Sequence, residues 1–291
     1  MLDSIDDVLR AFDENDYVAD RSLATAVFLA LRMRKPLLLE GEAGVGKTEV
    51  AKVLASVLST PLLRLQCYEG IDVAAALYEW NYARQILAIR SYEGHGAAMD
   101  VFSREFLIRR PVLQALEYCG PRPAVLLLDE IDRSDDEFEA FLLEVLSDFQ
   151  ISIPEIGTIQ STNPPVVIIT SNRTRELHEA LKRRCLYHWI RYPDLDKEYA
   201  ILSRKVPFAT ETLRHQVAAF AQSLRKRDLY KPPGVSETLD WANALTSLGT
   251  SELNESAVAD TWGVILKNQE DIESLDKEPL TELVESARMS Y

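Results

Sequence analysis

PLLLEGEAGVGKTEVAKVLASVL, residues 36–58, decides how the rest of the chain is read. Three leucines, Leu37 to Leu39, form an apolar run of strand length. A glycine-rich turn follows, and then apolar positions Val50, Val53, Leu54, Val57 and Leu58 step by three and four, the spacing of a helix face. The turn, Gly41-Glu42-Ala43-Gly44-Val45-Gly46-Lys47-Thr48, sets two glycines four residues apart ahead of Lys-Thr, the pattern of a phosphate-wrapping loop. Its glycines let the backbone fold back with N–H groups turned inward. The helix that follows contributes unpaired first-turn N–H groups and a positive dipole end. Lys47 supplies a point charge for the β and γ phosphates of a nucleotide, and the Thr48 hydroxyl is suited to a magnesium ion.

Further along the chain, Ala124 to Asp132 reads AVLLLDEID. Its apolar run, Val125 to Leu128, predicts a strand buried on both faces of a parallel sheet. Asp129 and Glu130 stand at its C-terminal end, where open α/β sheets keep their ligands. Asp129 suits the magnesium shell, together with Thr48, and Glu130 suits the polarising of a water for attack on the γ phosphate. Val166 to Ile169 predicts another buried strand, ending in Thr170-Ser171-Asn172. Asn172 there either reaches the γ phosphate and attacking water or serves as an ordinary helix cap or Asx turn. Lys182-Arg183-Arg184-Cys185 is the densest basic spot. Arg183 and Arg184 either close a helix C-terminus or reach a neighbouring subunit's γ phosphate as an arginine finger.

The intervening stretches fill in a layered α/β core. Residues 1–35 read as helical, with Leu23, Val27, Phe28 and Leu31 on one face. Tyr17-Val18-Ala19 is either an adenine-contacting segment or a packed loop. Pro61 to Gln66 predicts a second strand. Cys67 to Met99 reads as a less regular, aromatic region containing the Gly94-His95-Gly96 turn. Phe106 to Tyr118 reads as a helix, Phe138 to Leu146 as another, and Gln150 to Ile159 as a β-hairpin. After Tyr192-Pro193 only helical stretches follow. The sequence therefore predicts an α/β nucleotide-binding core over 1–193 and an all-helical lid over 194–291.

Composition narrows the function. The chain has 291 residues, 47% of them apolar, and 46 Asp plus Glu against 32 Lys plus Arg give a formal charge of −14. That balance argues against broad nucleic-acid binding, which rests on neutralising phosphates. Cys67, Cys119 and Cys185 fit no metal-ligand spacing and no disulfide framework, which suits a reducing cytoplasm. The acidic N-terminus lacks a signal-peptide pattern, and no apolar run is long enough to span a bilayer.

The ordered set GEAGVGKT, VLLLDE, TSN and ALKRRC, followed by helices, resembles the AAA+ ATPases, and among them the MoxR-like group. The middle of the chain is most similar to the carbon monoxide dehydrogenase maturation branch. LYEWNYARQILAIR (77–90), FLIRRPVLQALE (106–117), LLLDEIDRSDDEFEAFLLEVLSDFQISIPEIGTI (126–159) and SNRTRELHEALKRRCLYHW (171–189) carry that likeness. It covers most of the chain, is most specific over 77–193, and is loosest in the lid.

The resemblance implies a P-loop fold binding ATP and Mg2+. Gly41 to Thr48 would be Walker A, Asp129 and Glu130 Walker B, Asn172 sensor 1, and Arg184 the finger with Arg183 second. It implies a ring, expected to be hexameric, with nucleotide completed in trans. Residues 84–100 would be an insertion in helix 2, and 149–161 the hairpin before sensor 1. Relatives often carry Gly-Ala-Ser-Pro-Arg in the lid, where this chain has Gly234-Val235-Ser236-Glu237-Thr238, so Thr238 replaces the sensor 2 arginine and Lys231 is an alternative cation. The expected function is ATP-driven remodelling of a client metalloenzyme, in maturation of a molybdenum hydroxylase, with a von Willebrand A domain partner. The alternatives are a rubisco-activase-like activase, a nucleic-acid-associated ATPase, and a scaffold that binds ATP without hydrolysing it.

Overall fold

The computed structural model describes residues 2–92, 100–275 and 279–289. Its contacts divide the chain into two compact units. The first is Met1–Ala11, Arg21–Glu40 and Thr48–Trp189; the second is Phe12–Asp20, Gly41–Lys47 and Ile190–Tyr291.

The first unit is built on a five-stranded sheet. In chain order the strands among the described residues are β1 (Leu37–Gly41), β2 (Leu62–Gln66), β3 (Tyr78–Trp80), β4 (Leu107–Arg109), β5 (Val125–Asp129), β6 (Gln150–Ile153), β7 (Gly157–Gln160), β8 (Val166–Ser171) and β9 (Leu186–Ile190). The sheet order is β2-β5-β8-β1-β9. β1 runs parallel to β8, and β5 runs parallel to both β2 and β8. Every residue of β1 and β5 is buried, as the apolar runs Leu37 to Leu39 and Val125 to Leu128 require of strands covered on both faces. This order brings the C-terminal ends of β5 and β8 side by side, which places Asp129 and Glu130 next to Thr170, Ser171 and Asn172. Helix Lys47–Leu58 follows β1, and helix Asp136–Asp148 is capped by Asp135, whose carboxylate accepts from the Phe138 N–H at 2.8 Å.

The expected hairpin forms: β6 and β7 pair antiparallel with Ile151 opposite Ile159, both buried. The helix expected over Phe106 to Tyr118 does not run that length. Leu107–Arg109 is a strand paired antiparallel with Tyr78–Trp80, and the helix is only Pro111–Leu116. Pro111 explains the break. A proline disfavours helical backbone in the residue before it and is best placed in a helix's first turn, so Arg110 is extended (φ −97°, ψ 169°) and caps from outside. The region after Cys67 is also more regular than its sequence suggests, with helices Val73–Ala76 and Tyr82–Tyr92 flanking β3. Gly94-His95-Gly96, and with it part of the 84–100 insertion, lies outside the described residues.

The second unit holds the helices Leu195–Lys205, Glu211–Arg225, Val235–Ser247, Glu255–Ile265, Gln269–Leu275 and Leu280–Met289. Their core centres on Phe220, Trp241 and Trp262, with the Trp241 indole N–H donating to Thr261 Oγ1 at 2.7 Å. Asp194, Thr210 and Asn254 cap three of the helices through side-chain oxygens.

Candidate functional site

In the first unit, the ends of β5 and β8 and Thr48 form a connected polar cluster. Asp129 is 2% exposed, and its Oδ1 accepts from Thr48 Oγ1 at 2.9 Å and from Thr170 Oγ1 at 2.6 Å. Its Oδ2 accepts from Arg64 Nε at 2.9 Å, and Arg64 Nη2 stands 2.6 Å from the same oxygen as an ion pair. A carboxylate so deeply buried requires such partners to remain charged. Glu130 follows with a left-handed backbone, φ 55°, which is uncommon for a residue with a side chain. Its N–H donates to Thr170 Oγ1 at 2.9 Å, so a single threonine hydroxyl fixes both acidic residues. The Glu130 carboxylate accepts from Gln66 Nε2 at 3.1 Å and Asn172 Nδ2 at 3.4 Å, and pairs with Arg133 at 3.1 Å. One-third exposure of that side chain leaves it open to water.

The Asn172 N–H donates to Asp132 Oδ1 at 3.2 Å, and the Thr174 N–H to Asp132 Oδ2 at 2.8 Å. Asp132 is buried and acts as the brace beneath the Asn172 turn. Cys67 lies beside this cluster, its N–H bonded to the Asp129 carbonyl at 2.8 Å. Burial, reinforced by the charges of Asp129, Asp132 and Glu130, pushes its thiol up to about 12. Burial does the same to Cys185. Both thiols are therefore neutral at ordinary pH.

The arginines expected to act as fingers sit apart from these carboxylates. Arg184 is exposed, and its Nε donates to Ser147 Oγ at 2.8 Å. Arg183 is 82% exposed and lies 3.9 Å from Glu179 one turn earlier. Their helix, Glu179–Arg184, is anchored at its start. Fully buried Glu139 accepts from the His178 N–H at 2.9 Å and pairs with Arg175, whose Nε donates to the Ser134 carbonyl at 2.8 Å.

In the second unit, the glycine-rich loop packs against the start of helix Val235–Ser247. The Ser236 N–H donates to the Gly44 carbonyl at 3.2 Å. Gly44 has φ +75°, and a Cβ there would meet Glu237 Oε2 at 2.9 Å. At Gly41 a Cβ would stand 2.3 Å from the Ile190 carbonyl oxygen, so no side chain fits. Lys47 is 6% exposed, with its ammonium donating to the carbonyls of Gly41 at 2.7 Å and Glu42 at 2.6 Å. That folds the lysine over its own loop, with the charge held where phosphates would be wrapped. Tyr17 lies beside Gly46, 3.9 Å from where its Cβ would be, and its ring meets Phe12 edge-on.

Thr238 turns away from the loop. It is fully buried, donates to the Gly234 carbonyl at 3.0 Å and accepts from Arg225 Nη2 at 3.2 Å. Arg225 in turn forms a bidentate pair with buried Glu198 at 2.6 Å and stacks 4.8 Å from the Tyr192 ring centre. The residues of that stretch that face the loop are Gly234, Ser236 and Glu237. The Lys231 N–H is bonded to Asp271.

The donor set suits magnesium bound with nucleotide. Such an ion takes oxygen ligands, uses one or two carboxylates and leaves the rest of its shell to water and phosphates. Thr48 and Asp129 offer a hydroxyl and a carboxylate already within hydrogen-bonding distance of one another. Arg64, Gln66 and Thr170 belong to this cluster and were not singled out from the sequence. Their signal was there in part: in Leu63-Arg64-Leu65-Gln66, two polar residues share one face of an otherwise apolar strand.

The parallel sheet, the glycine loop ahead of a helix and the paired acids at the end of β5 define a P-loop nucleotide-binding fold. The chain belongs to the AAA domain family, dynein-related subfamily, whose description matches residues 36–185, just over half of its length. Membership implies nucleotide binding. An uncharacterized protein of Staphylococcus haemolyticus is 25% identical over 243 residues, covering 81% of this chain and 85% of that one. Chaperone protein ClpB of Gloeobacter violaceus is 31% identical over 156 residues, which is 53% of this chain but 14% of ClpB. Among solved structures, the Thermotoga maritima RuvB Holliday junction branch migration motor superposes with a TM-score of 0.48 at 18% identity, covering 94% of this chain and 80% of that one. Among the described residues, no helix is long and apolar enough to cross a membrane.

Proposed function

We propose that this protein binds ATP with Mg2+ and hydrolyses it, as a MoxR-type AAA+ ATPase that remodels a client metalloenzyme. The observation that carries the hydrolytic reading is the cluster of Thr48, Asp129, Thr170, Glu130 and Asn172. In that reading the loop Gly41 to Thr48, with Glu42, Ala43, Val45, Gly46 and Lys47, wraps the phosphates. Thr48 and Asp129 would hold a magnesium ion, which would offset phosphate charge. Glu130 takes the proton of an attacking water that Asn172 helps to line up. Its left-handed backbone supports the role, since strained residues concentrate where geometry must be fixed.

Arg184, with Arg183 as the second choice, would act on the nucleotide of the next subunit in a ring expected to be hexameric. Both are exposed on a helix anchored by Glu139, as a group acting in trans must be. The chaperone relative supports a remodelling role. The client, a molybdenum hydroxylase such as carbon monoxide dehydrogenase, and a von Willebrand A domain partner rest on the likeness of residues 77–90, 106–117, 126–159 and 171–189 to that branch.

Phosphate release tests the chemistry. Lys47→Ala should abolish both ATP binding and turnover, while Glu130→Gln should bind ATP and lose turnover by about a hundredfold or more. Full turnover in both variants would sink the mechanism. A pull-down with Glu130→Gln in ATP tests the remodelling reading; recovery of neither a metalloenzyme nor a von Willebrand A domain protein argues against the proposed client.

A further inference from the structure

Asp129, the carboxylate assigned to the metal, is not free to present its full charge. Its two oxygens are used differently. Oδ1 accepts the hydroxyls of Thr48 and Thr170, whereas Arg64 faces Oδ2, donating from Nε at 2.9 Å and pairing through Nη2 at 2.6 Å. Arg64 is not loosely placed. It projects from β2, directly beside β5, and its Nη2 also donates to Gln66 Oε1 at 2.5 Å. Gln66 lies opposite Asp129 in the strand pairing and bonds Glu130 from its other end. The guanidinium is thus held in one orientation by a second residue of its own strand.

The exposures are unequal. Asp129 is 3% exposed at the side chain, and Arg64 is 49% exposed. A buried ion pair with both partners enclosed would be a structural tie. Here one partner remains in contact with water, so the charge beside the carboxylate can be altered without emptying the core.

We propose that Arg64 is a positioning residue that sets how tightly the Asp129 site takes a divalent cation. The inference rests on the nucleotide-binding reading above. Arg64 has two effects of opposite sign. It aims the carboxylate, which favours the ion, and it cancels one negative charge beside the ion's place, which disfavours it. Aim survives its removal, because Thr48 and Thr170 still hold Oδ1. Charge does not survive, because among the described residues Arg64 is the cation whose ion pair with Asp129 is seen. The charge effect therefore wins, and Arg64 keeps the cation's hold weak enough for release after each turnover.

The test uses the full chain and mant-ADP, whose affinity is measured by fluorescence with EDTA and with saturating Mg2+. The ratio of the two dissociation constants reports coupling between nucleotide and metal, and involves no turnover. Arg64→Met should increase the magnesium-dependent gain in affinity roughly tenfold at low salt, with a smaller increase at high salt. Arg64→Gln should do the same. Arg64→Lys keeps the charge and should stay within about twofold of the wild type. Unchanged or reduced coupling in a folded Arg64→Met or Arg64→Gln variant would overturn the role of Arg64 alone. A folded wild-type chain that binds no mant-ADP under either condition would overturn the nucleotide-binding reading, and this inference with it.

Discussion

Two buried carboxylates, Asp129 in the first unit and Glu198 in the second, each pair with an arginine, and they do opposite things. Glu198 is fully buried; Arg225, 6% exposed at its side chain, grips both of its oxygens, and Gln222 takes a further bond. Nothing there can move without exposing an unpaired charge in a helical core. Asp129 is almost as buried, yet its partners are two hydroxyls and an arginine that stays half in water. Burial of a charge is thus shared by tie and site. What separates them is whether the partners can exchange for a ligand.

That contrast can be broken most directly at Glu198. Glu198→Ala should destabilise the protein by about 3–5 kcal/mol, because it strands Arg225 in the core. Asp129→Asn should cost less than half of that, since Arg64 can hydrate, while abolishing ATP turnover. Urea unfolding and phosphate release measure the two effects, and equal stability losses would erase the distinction.

Next in size, Arg184→Ala should reduce turnover by about a hundredfold or more with ATP affinity nearly unchanged. Mixing it with Glu130→Gln subunits should restore part of the activity, and no rescue at any ratio would count against action in trans. Thr170→Val removes the hydroxyl shared by the Glu130 N–H and Asp129. A stability loss of about 1–3 kcal/mol is expected from the group left unpaired, with a lower turnover.

The effect of the thiols is confined to alkaline pH. Cys67 and Cys185 are raised from 9.0 to about 12 in the folded protein. Their contribution to stability is full below pH 9 and is lost as pH rises toward 12, because the unfolded chain ionises first. At pH 8, exposed Cys119 should react with a thiol reagent in the native protein, and the other two only after unfolding. Fast native labelling of Cys67 would show that the Asp129 cluster is more open than described.

Much of the fold was legible because its signals are local. A short unbroken apolar run bounded by turn or polar residues suits a strand covered on both faces, which is how β1, β5 and β8 are read. Gln150 to Ile159 alternates around a turn, which gave the hairpin. The helix expected across Phe106 to Tyr118 failed for a reason also local: Pro111 disfavours helix in the residue before it, and β3 was available to pair with Leu107–Arg109. Arg64 was not legible. Its sequence signal is a polar residue on an edge-strand face, and what it touches depends on Asp129 lying 65 residues later.

The sequence by itself determined the chemistry on offer: a phosphate-wrapping loop, a Lys-Thr pair, two acids after a buried strand, an asparagine and a basic helix end. Those follow from residue type and short spacing, which the chain carries in its covalent order. Tertiary structure decided how they are wired. Strand order set β5 beside β8, so that Thr170 became the hinge between Asp129 and Glu130. It set β2 against β5, so that Arg64 reached Asp129. Within the second unit it turned Thr238 inward and gave Gly44 of the opening loop Gly234, Ser236 and Glu237 as neighbours. Contacts between residues far apart in the chain are fixed by packing and pairing, and no local pattern encodes them.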